Sequence, residues 1–143
     1  MNELDVDLDT MELPRPAATL RRSGRGGMRI ATRDVGTVTI FVLTGPAGEG
    51  DATRLGERFR SRLESGRLRF VLDLRALTYV DSALIAEIIA SLKRAAERSG
   101  TLELVSAPQS KVREILRVTA LDRVFRIHDT LEPLVSIKLR RLV

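Results

Sequence analysis

The run Phe70-Val-Leu-Asp-Leu74 constrains this chain more than any other segment, because all but one of its side chains are apolar and ask for cover on both faces. A strand of that kind belongs inside a sheet with a layer on either side. The residues after it, Arg75-Ala-Leu-Thr-Tyr-Val80, lead into Asp81-Ser82, and Ala83–Ala96 then has the composition of a helix. Ser82 is therefore expected at a helix N-terminus, where the first backbone N–H groups lack internal partners and the macrodipole places partial positive charge. Asp and Ser ordinarily serve as caps there. The same position would tolerate an added phosphate, which would bring about two negative charges beside Asp81 and change what can dock.

The flanking segments alternate between the two periodicities. Met28–Arg33 and Thr37–Leu43 read as strands joined at Asp34-Val-Gly. Asp51 is expected to cap a helix running to about Glu64, with Leu55, Phe59 and Leu63 on one face and Ser65-Gly66 as its stop. Strand Leu68–Leu74 follows. The next helix, Ser82 to about Arg98, carries a polar stripe of Glu87, Ser91, Arg94 and Arg98. Thr101–Val105 is a strand, Pro108 marks the start of a helix with Val112, Ile115, Leu116 and Thr119 inward, Val124–Ile127 is a short strand, and Thr130 caps a last helix through Leu139. Strands alternating with helices imply crossovers and a parallel or mixed α/β sheet.

The chain divides near Gly27. Met1–Leu13 carries Glu3, Asp5, Asp7, Asp9 and Glu12 without a base, and Pro14–Gly27 replaces any hydrophobic period with prolines, glycines and arginines. Residues 1–27 are read as a flexible extension and 28–143 as one domain, a size that can bury a single core. With aromatic residues at 3% and no tryptophan, that core is expected to be aliphatic. There is no cysteine, no apolar run long enough to span a membrane and no signal-peptide pattern, so a cytoplasmic protein without membrane insertion is expected.

Catalytic apparatus is hard to find. His128 is the only histidine, too few for a metal site or a base with its nucleophile, and is read as structural. Arg22-Ser-Gly-Arg-Gly-Gly27 lacks the Gly-Lys-Ser/Thr of a phosphate loop, and Asp73, Asp81 and Glu87 form no evident acid–base pair. The net charge of +5 is dispersed and aromatics that could stack on bases are nearly absent, so nucleic acid is not expected as a partner. An acidic protein accounts equally well for the arginines around the first helix, Arg54, Arg58, Arg60, Arg62, Arg67 and Arg69. No enzyme activity, cofactor or metal is expected.

Leu43–Leu131 resembles a STAS domain, the small α/β module of bacterial anti-sigma-factor antagonists. The likeness rests on Leu43-Thr44-Gly45, Leu72-Asp73-Leu74, Leu102-Glu-Leu-Val, the helix Val112–Leu121, Val124-Phe-Arg-Ile, and above all Asp81-Ser82-Ala83-Leu84-Ile85-Ala86, set against the family's Asp-Ser-Ser/Thr-Gly-Leu-Gly. The resemblance implies a four- to five-stranded mixed sheet packed with about four helices, mainly on one face. It also implies a partner-switching regulator of transcription: an anti-sigma-factor serine kinase binds around Asp81, Ser82, Ala83, Leu84, Thr44 and Gly45 and phosphorylates Ser82. A homodimer is compatible with it. Two departures stand out. Leu84 replaces a glycine and is expected to narrow the approach to Ser82, and Gly48 stands where the antagonists usually carry an acid. These favour the alternative of a STAS scaffold subunit, never phosphorylated, as in stressosomes or lipid-transport ATPase complexes.

Because residues 1–27 have neither hydrophobic period nor caps, their deletion is expected to leave the thermal unfolding midpoint nearly unchanged. A large fall in a calorimetric scan would show that the extension packs on the sheet.

Overall fold

The structure is a computed structural model that describes residues 27–134. Residues 1–26, and 135–143 into which the last helix is expected from the sequence to continue, lie outside the described residues. Strands β1 (Arg29–Val35) and β2 (Val38–Pro46) pair antiparallel, then α1 (Asp51–Glu64), β3 (Arg69–Tyr79), α2 (Ser82–Glu97), β4 (Thr101–Val105), α3 (Lys111–Val118), a 3₁₀ turn at Leu121–Arg123 and β5 (Ile127–His128) follow. The five strands form one mixed sheet in the order β1-β2-β3-β4-β5, parallel from β2 onward.

Alternation along each strand sorts the side chains into two layers. Phe41 and Leu43 of β2, Phe70, Leu72 and Leu74 of β3, and Leu102 and Leu104 of β4 face the helices, meeting Leu55, Phe59 and Leu63 of α1, Leu84 and Ile88 of α2, and Val112 and Leu116 of α3. The other face buries Val38, Ile40, Val71 and Val105, with Leu131 and Leu134 packed against them. All of Phe70–Leu74 is buried, as its composition requires.

The core is not purely aliphatic. Phe41, Phe59 and Phe70 are fully buried and form a trio with ring centroids 6.2, 6.2 and 4.4 Å apart. Phe125 is buried as well. A low aromatic content therefore concentrates at the centre, where large rings fill the space between sheet and α1.

Several boundaries differ from those read in the sequence, each for a local reason. The reversal between β1 and β2 falls on Gly36-Thr37, between the closing pair Val35 and Val38. Asp51 does not cap α1; Gly50 holds the cap position and the buried Asp51 is the first helical residue. Its carboxylate instead accepts the Gly48 N–H at 2.8 Å and a guanidinium N–H of Arg54 at 2.6 Å. β3 continues to Tyr79 because it carries extra residues opposite β2, with register shifts between Val42 and Thr44 and again between Gly45 and Pro46. Ser110 caps α3, its hydroxyl accepting the Arg113 N–H at 3.0 Å, and Thr119 is exposed at the helix end rather than inward. Val124 is 57% exposed and lies before β5, which is only Ile127–His128. The last helix opens at residue 132 and is not capped directly by Thr130.

Truncating Phe59, the ring common to the tightest contact of the trio, removes contacts that neighbouring side chains cannot all replace. Phe59→Ala is expected to destabilise by about 3–5 kcal/mol with an unchanged m-value in urea unfolding.

Candidate functional site

The C-terminal ends of the parallel strands carry the loops that the sequence singled out, the usual place for a site in such sheets. Thr44 and Gly45 lie near the end of β2 beside Ala76 and Leu77 of β3, and the Ala47 N–H donates to the Tyr79 carbonyl at 2.9 Å. The loop into α1 and the loop into α2 are thereby tied together. Gly45 has φ +92°, and a Cβ there would stand 3.0 Å from the Gly27 carbonyl oxygen, so glycine answers both the backbone angle and the close approach. The chain before β1 thus enters at this same end.

Of the Asp-Ser pair, Asp81 takes the cap of α2 and Ser82 does not. Its backbone is extended and its Oδ1 accepts the Leu84 N–H at 2.8 Å. Ser82 and Ala83 occupy the first two helical positions and are exposed. No hydrogen bond joins the Ser82 hydroxyl to another described residue, and the Ser82 and Ala83 amides have no acceptor among them. The first turn contains no acidic residue. The result is an exposed hydroxyl over unengaged N–H groups at the positive end of a helix.

Leu84 does not narrow the approach to Ser82. Its side chain is fully buried and belongs to the core, anchoring the first turn of α2 from beneath. The exposed rim consists instead of Thr78, Tyr79, Ser82, Ala83 and Ala86, with Asp81 half-buried among them. Tyr79, 59% exposed, is the surface residue that sequence reasoning passed over. Only the bulged extension of β3 brings it to the rim, and no periodicity in the sequence signals that. Thr44 and Gly45 are half-buried at the edge of this surface.

The polar stripe of α2 turns toward α1 at Glu87 and Arg98 rather than away from the domain. Glu87 accepts the Ser91 hydroxyl and an Arg94 N–H, both at 3.0 Å, and Arg98 donates to the Leu63 carbonyl at 3.0 Å. Ser91 is buried. A Cβ on Gly56 would lie 2.7 Å from the Glu87 carboxyl carbon, so the carboxylate occupies the space that a side chain at that position would take. Burying polar groups in this seam is tolerable because each has a partner.

The remaining candidates stand apart. His128 on β5 approaches Glu103 of β4, Nε2 to Oε1 at 2.6 Å, and so ties the last two strands together. Asp73 is buried on the second sheet face and held by a two-pronged contact from Arg75, Nε at 2.9 Å and Nη2 at 2.7 Å, which raises the Arg75 pKa above its ordinary value. Neither approaches the Ser82 rim. Among the described residues no group of three His, Asp or Glu could hold a metal ion, and no helix is long and apolar enough to cross a membrane.

Residues 30–135 match the family model described as "Mlab, STAS domain". Among solved structures, the chain is similar to TM1081 of Thermotoga maritima, provisionally assigned as an anti-sigma factor antagonist, with 25% identity and a TM-score of 0.68 over 75% of this chain and 92% of that one. It is also similar to an anti-sigma factor antagonist from Mycobacterium paratuberculosis, with 17% identity and a TM-score of 0.68 over 77% and 92% of the two chains. The unphosphorylated form of the Bacillus antagonist SpoIIAA shares the fold at 14% identity, with a TM-score of 0.68 over 80% and 99%.

Removing the Asp81 carboxylate leaves the Leu84 amide without its acceptor. Asp81→Ala is expected to lower stability by about 1 kcal/mol, with most of the loss restored in Asp81→Asn. Hydrogen exchange at the Leu84 amide checks it: exchange should accelerate in the alanine variant and stay near wild type in the asparagine variant.

Proposed function

This chain belongs to the STAS domain family, and we propose that it is an anti-sigma-factor antagonist that binds an anti-sigma-factor serine kinase through the rim around Ser82 and is released when Ser82 is phosphorylated. The observation that carries this reading is the exposed, unengaged Ser82 hydroxyl in the first turn of α2. In the unmodified protein the rim offers Tyr79, Ala83 and Ala86 with a single carboxylate, a surface that a partner can cover without burying an unpaired dianion. Thr44 and Gly45 lie at its margin.

Phosphorylation would transfer the γ-phosphoryl group of the kinase's ATP to Ser82 Oγ, releasing ADP, with the hydroxyl proton passing to a base on the kinase. This chain supplies only the acceptor oxygen, which fits the scarcity of acid–base groups near it. The unengaged Ser82 and Ala83 amides and the helix dipole favour the added anion locally. The partner meets a different surface, because about two negative charges then stand beside Asp81. The switch can be no larger than the difference in affinity it creates, typically about 1–3 kcal/mol or 5–150-fold in Kd.

Leu84 is no obstacle to this chemistry, since it faces the core. The same apolar rim would also suit a scaffold subunit that packs constitutively. Substitutions at Ser82 separate the two readings. Ser82→Ala is expected to keep kinase binding and abolish phosphate incorporation, whereas Ser82→Asp is expected to weaken binding by roughly 5–150-fold in calorimetric titration. Equal binding by wild type and both variants, with no phosphate incorporated into the wild type, would leave Ser82 as a helix position only and give the scaffold reading its place.

A further inference from the structure

The most charged feature outside the Ser82 rim is a row of arginines at Arg54, Arg58 and Arg62, one helical turn apart on α1 and laid against the outer edge of β1. Arg54 donates to the Met28 carbonyl at 3.0 Å, Arg58 to the Ile30 carbonyl at 2.9 Å and Arg62 to the Asp34 carboxylate at 3.2 Å. Arg58 thus covers a carbonyl of the edge strand β1, and Arg54 one just before it. Arg54 and Arg62 each have a carboxylate partner, Asp51 and Asp34. Arg58 has none among the described residues; its bond goes to a neutral oxygen. Desolvation first, then repulsion from Arg54 and Arg62, pushes its pKa below the ordinary arginine value. Beside it runs an open cleft lined by Thr32, Glu57, Arg58, Ser61, Arg62 and Ser65, in which hydroxyl groups and spare guanidinium N–H donors outnumber the single acid.

Such a groove fits an extended acidic peptide, and the chain carries one. Glu3, Asp5, Asp7, Asp9 and Glu12 lie in a stretch with no basic residue, and three of them alternate with Val6 and Leu8. We propose that this acidic N-terminal segment, Met1–Leu13, docks in cis on the arginine row of α1.

Length and point of entry support that occupant. The chain enters the domain at Gly27, and the next residue, Met28, is the one whose carbonyl Arg54 binds, so the tether begins at one end of the row. From Arg54 to Arg62 the helix rises only about 12 Å. The connecting residues 14–26 have a contour length of at most about 45 Å, long enough for the acidic segment to reach the row. Tethering at that length gives an effective concentration in the millimolar range, enough for contacts too weak to hold a free peptide. Arg15, Arg21, Arg22 and Arg25 in the connector carry the same sign of charge as the row, so Coulomb repulsion favours the acidic segment over the connector as its occupant. Exposed charge pairs add little stability, so such docking is compatible with the expected small effect of deleting the extension on thermal unfolding.

The absence of cysteine from the chain gives a clean test on the full-length protein. Asn2→Cys provides a single attachment point for a nitroxide label, and its broadening of backbone amide signals is read in low salt. Selective loss of intensity at Thr32, Ser61 and Ser65 is expected, reversed at about 0.5 M NaCl, where screening falls to a few ångströms. It should also vanish in the triple variant Asp5→Asn, Asp7→Asn, Asp9→Asn, whose changes lie outside the folded core. Broadening confined to residues 14–26, broadening that survives the triple variant, or none on β1 and α1 would each overturn the proposal. In the last case a groove that binds an added polyglutamate peptide equally well with and without the triple substitution would assign it to a separate acidic partner.

Discussion

The parallel pairing of β2 with β3 is the contact on which the rest of the molecule depends. These two strands are buried between α1, α2 and α3 on one side and Leu131 and Leu134 on the other, and both contribute a ring to the phenylalanine trio. Their register also decides where the site lies. Beyond Val42 and Asp73 the β3 side carries more residues than the β2 side, so β3 bends and overshoots its neighbours before it hands over to α2. The Asp73 carboxylate takes up the bend, accepting the Arg75 backbone N–H at 3.1 Å as well as its guanidinium. A buried acid in the middle of a strand thus serves geometry: it holds the strand end that presents Tyr79 and, past Val80, Asp81 and Ser82.

A second constraint acts on α2 from the side. The α2 face turned to α1 carries polar residues as well as apolar ones: Glu87, held within α2 by Ser91 and Arg94, lies against Gly56, and Arg98 bonds across to the Leu63 carbonyl. That cross-helix bond has direction and ties the C-terminal end of α2 to the end of α1. With Leu84 pinned in the core below and this seam fixed at the side, the first turn of α2 is held while its outer surface stays free. Modification of Ser82 need not disturb the fold in order to change the surface.

Much of this was legible in the sequence because the signals were local. The doubly buried strand, the helix start at Asp81-Ser82, the Ser65-Gly66 helix end and the sheet class all follow from composition and short spacings, and the Asp-Ser motif carried the family resemblance. What escaped depended on backbone geometry, or on partners far along the chain, that short spacings do not report. Asp51 has the composition of a cap, yet Gly50 takes the turn and frees the carboxylate for the Gly48 amide and Arg54. Leu84 looked like a lid over Ser82 when read as a substituted glycine, whereas helical phase turns it inward beside Ile88. The polar stripe of α2 gave its period but not its direction, because only α1 decides which face is inside. Tyr79 became a surface residue through a bulge, which leaves no mark in hydrophobic alternation.

The same distinction explains why a single fold can serve either a switched or a constitutive interaction. Core and seam residues determine that a hydroxyl at the start of α2 stands clear of the protein, and they do so whether or not a kinase ever meets it. What would make it a switch is the electrostatic contrast between a rim with one half-buried carboxylate and the same rim carrying an added dianion over unengaged amides. That contrast depends on the first turn of α2 having no acid of its own: a glutamate at Ala83 or Leu84 would already have compensated the helix end and blunted the change. Restricting acid in this turn to the cap leaves the largest electrostatic response at the one place where the backbone is best able to receive it.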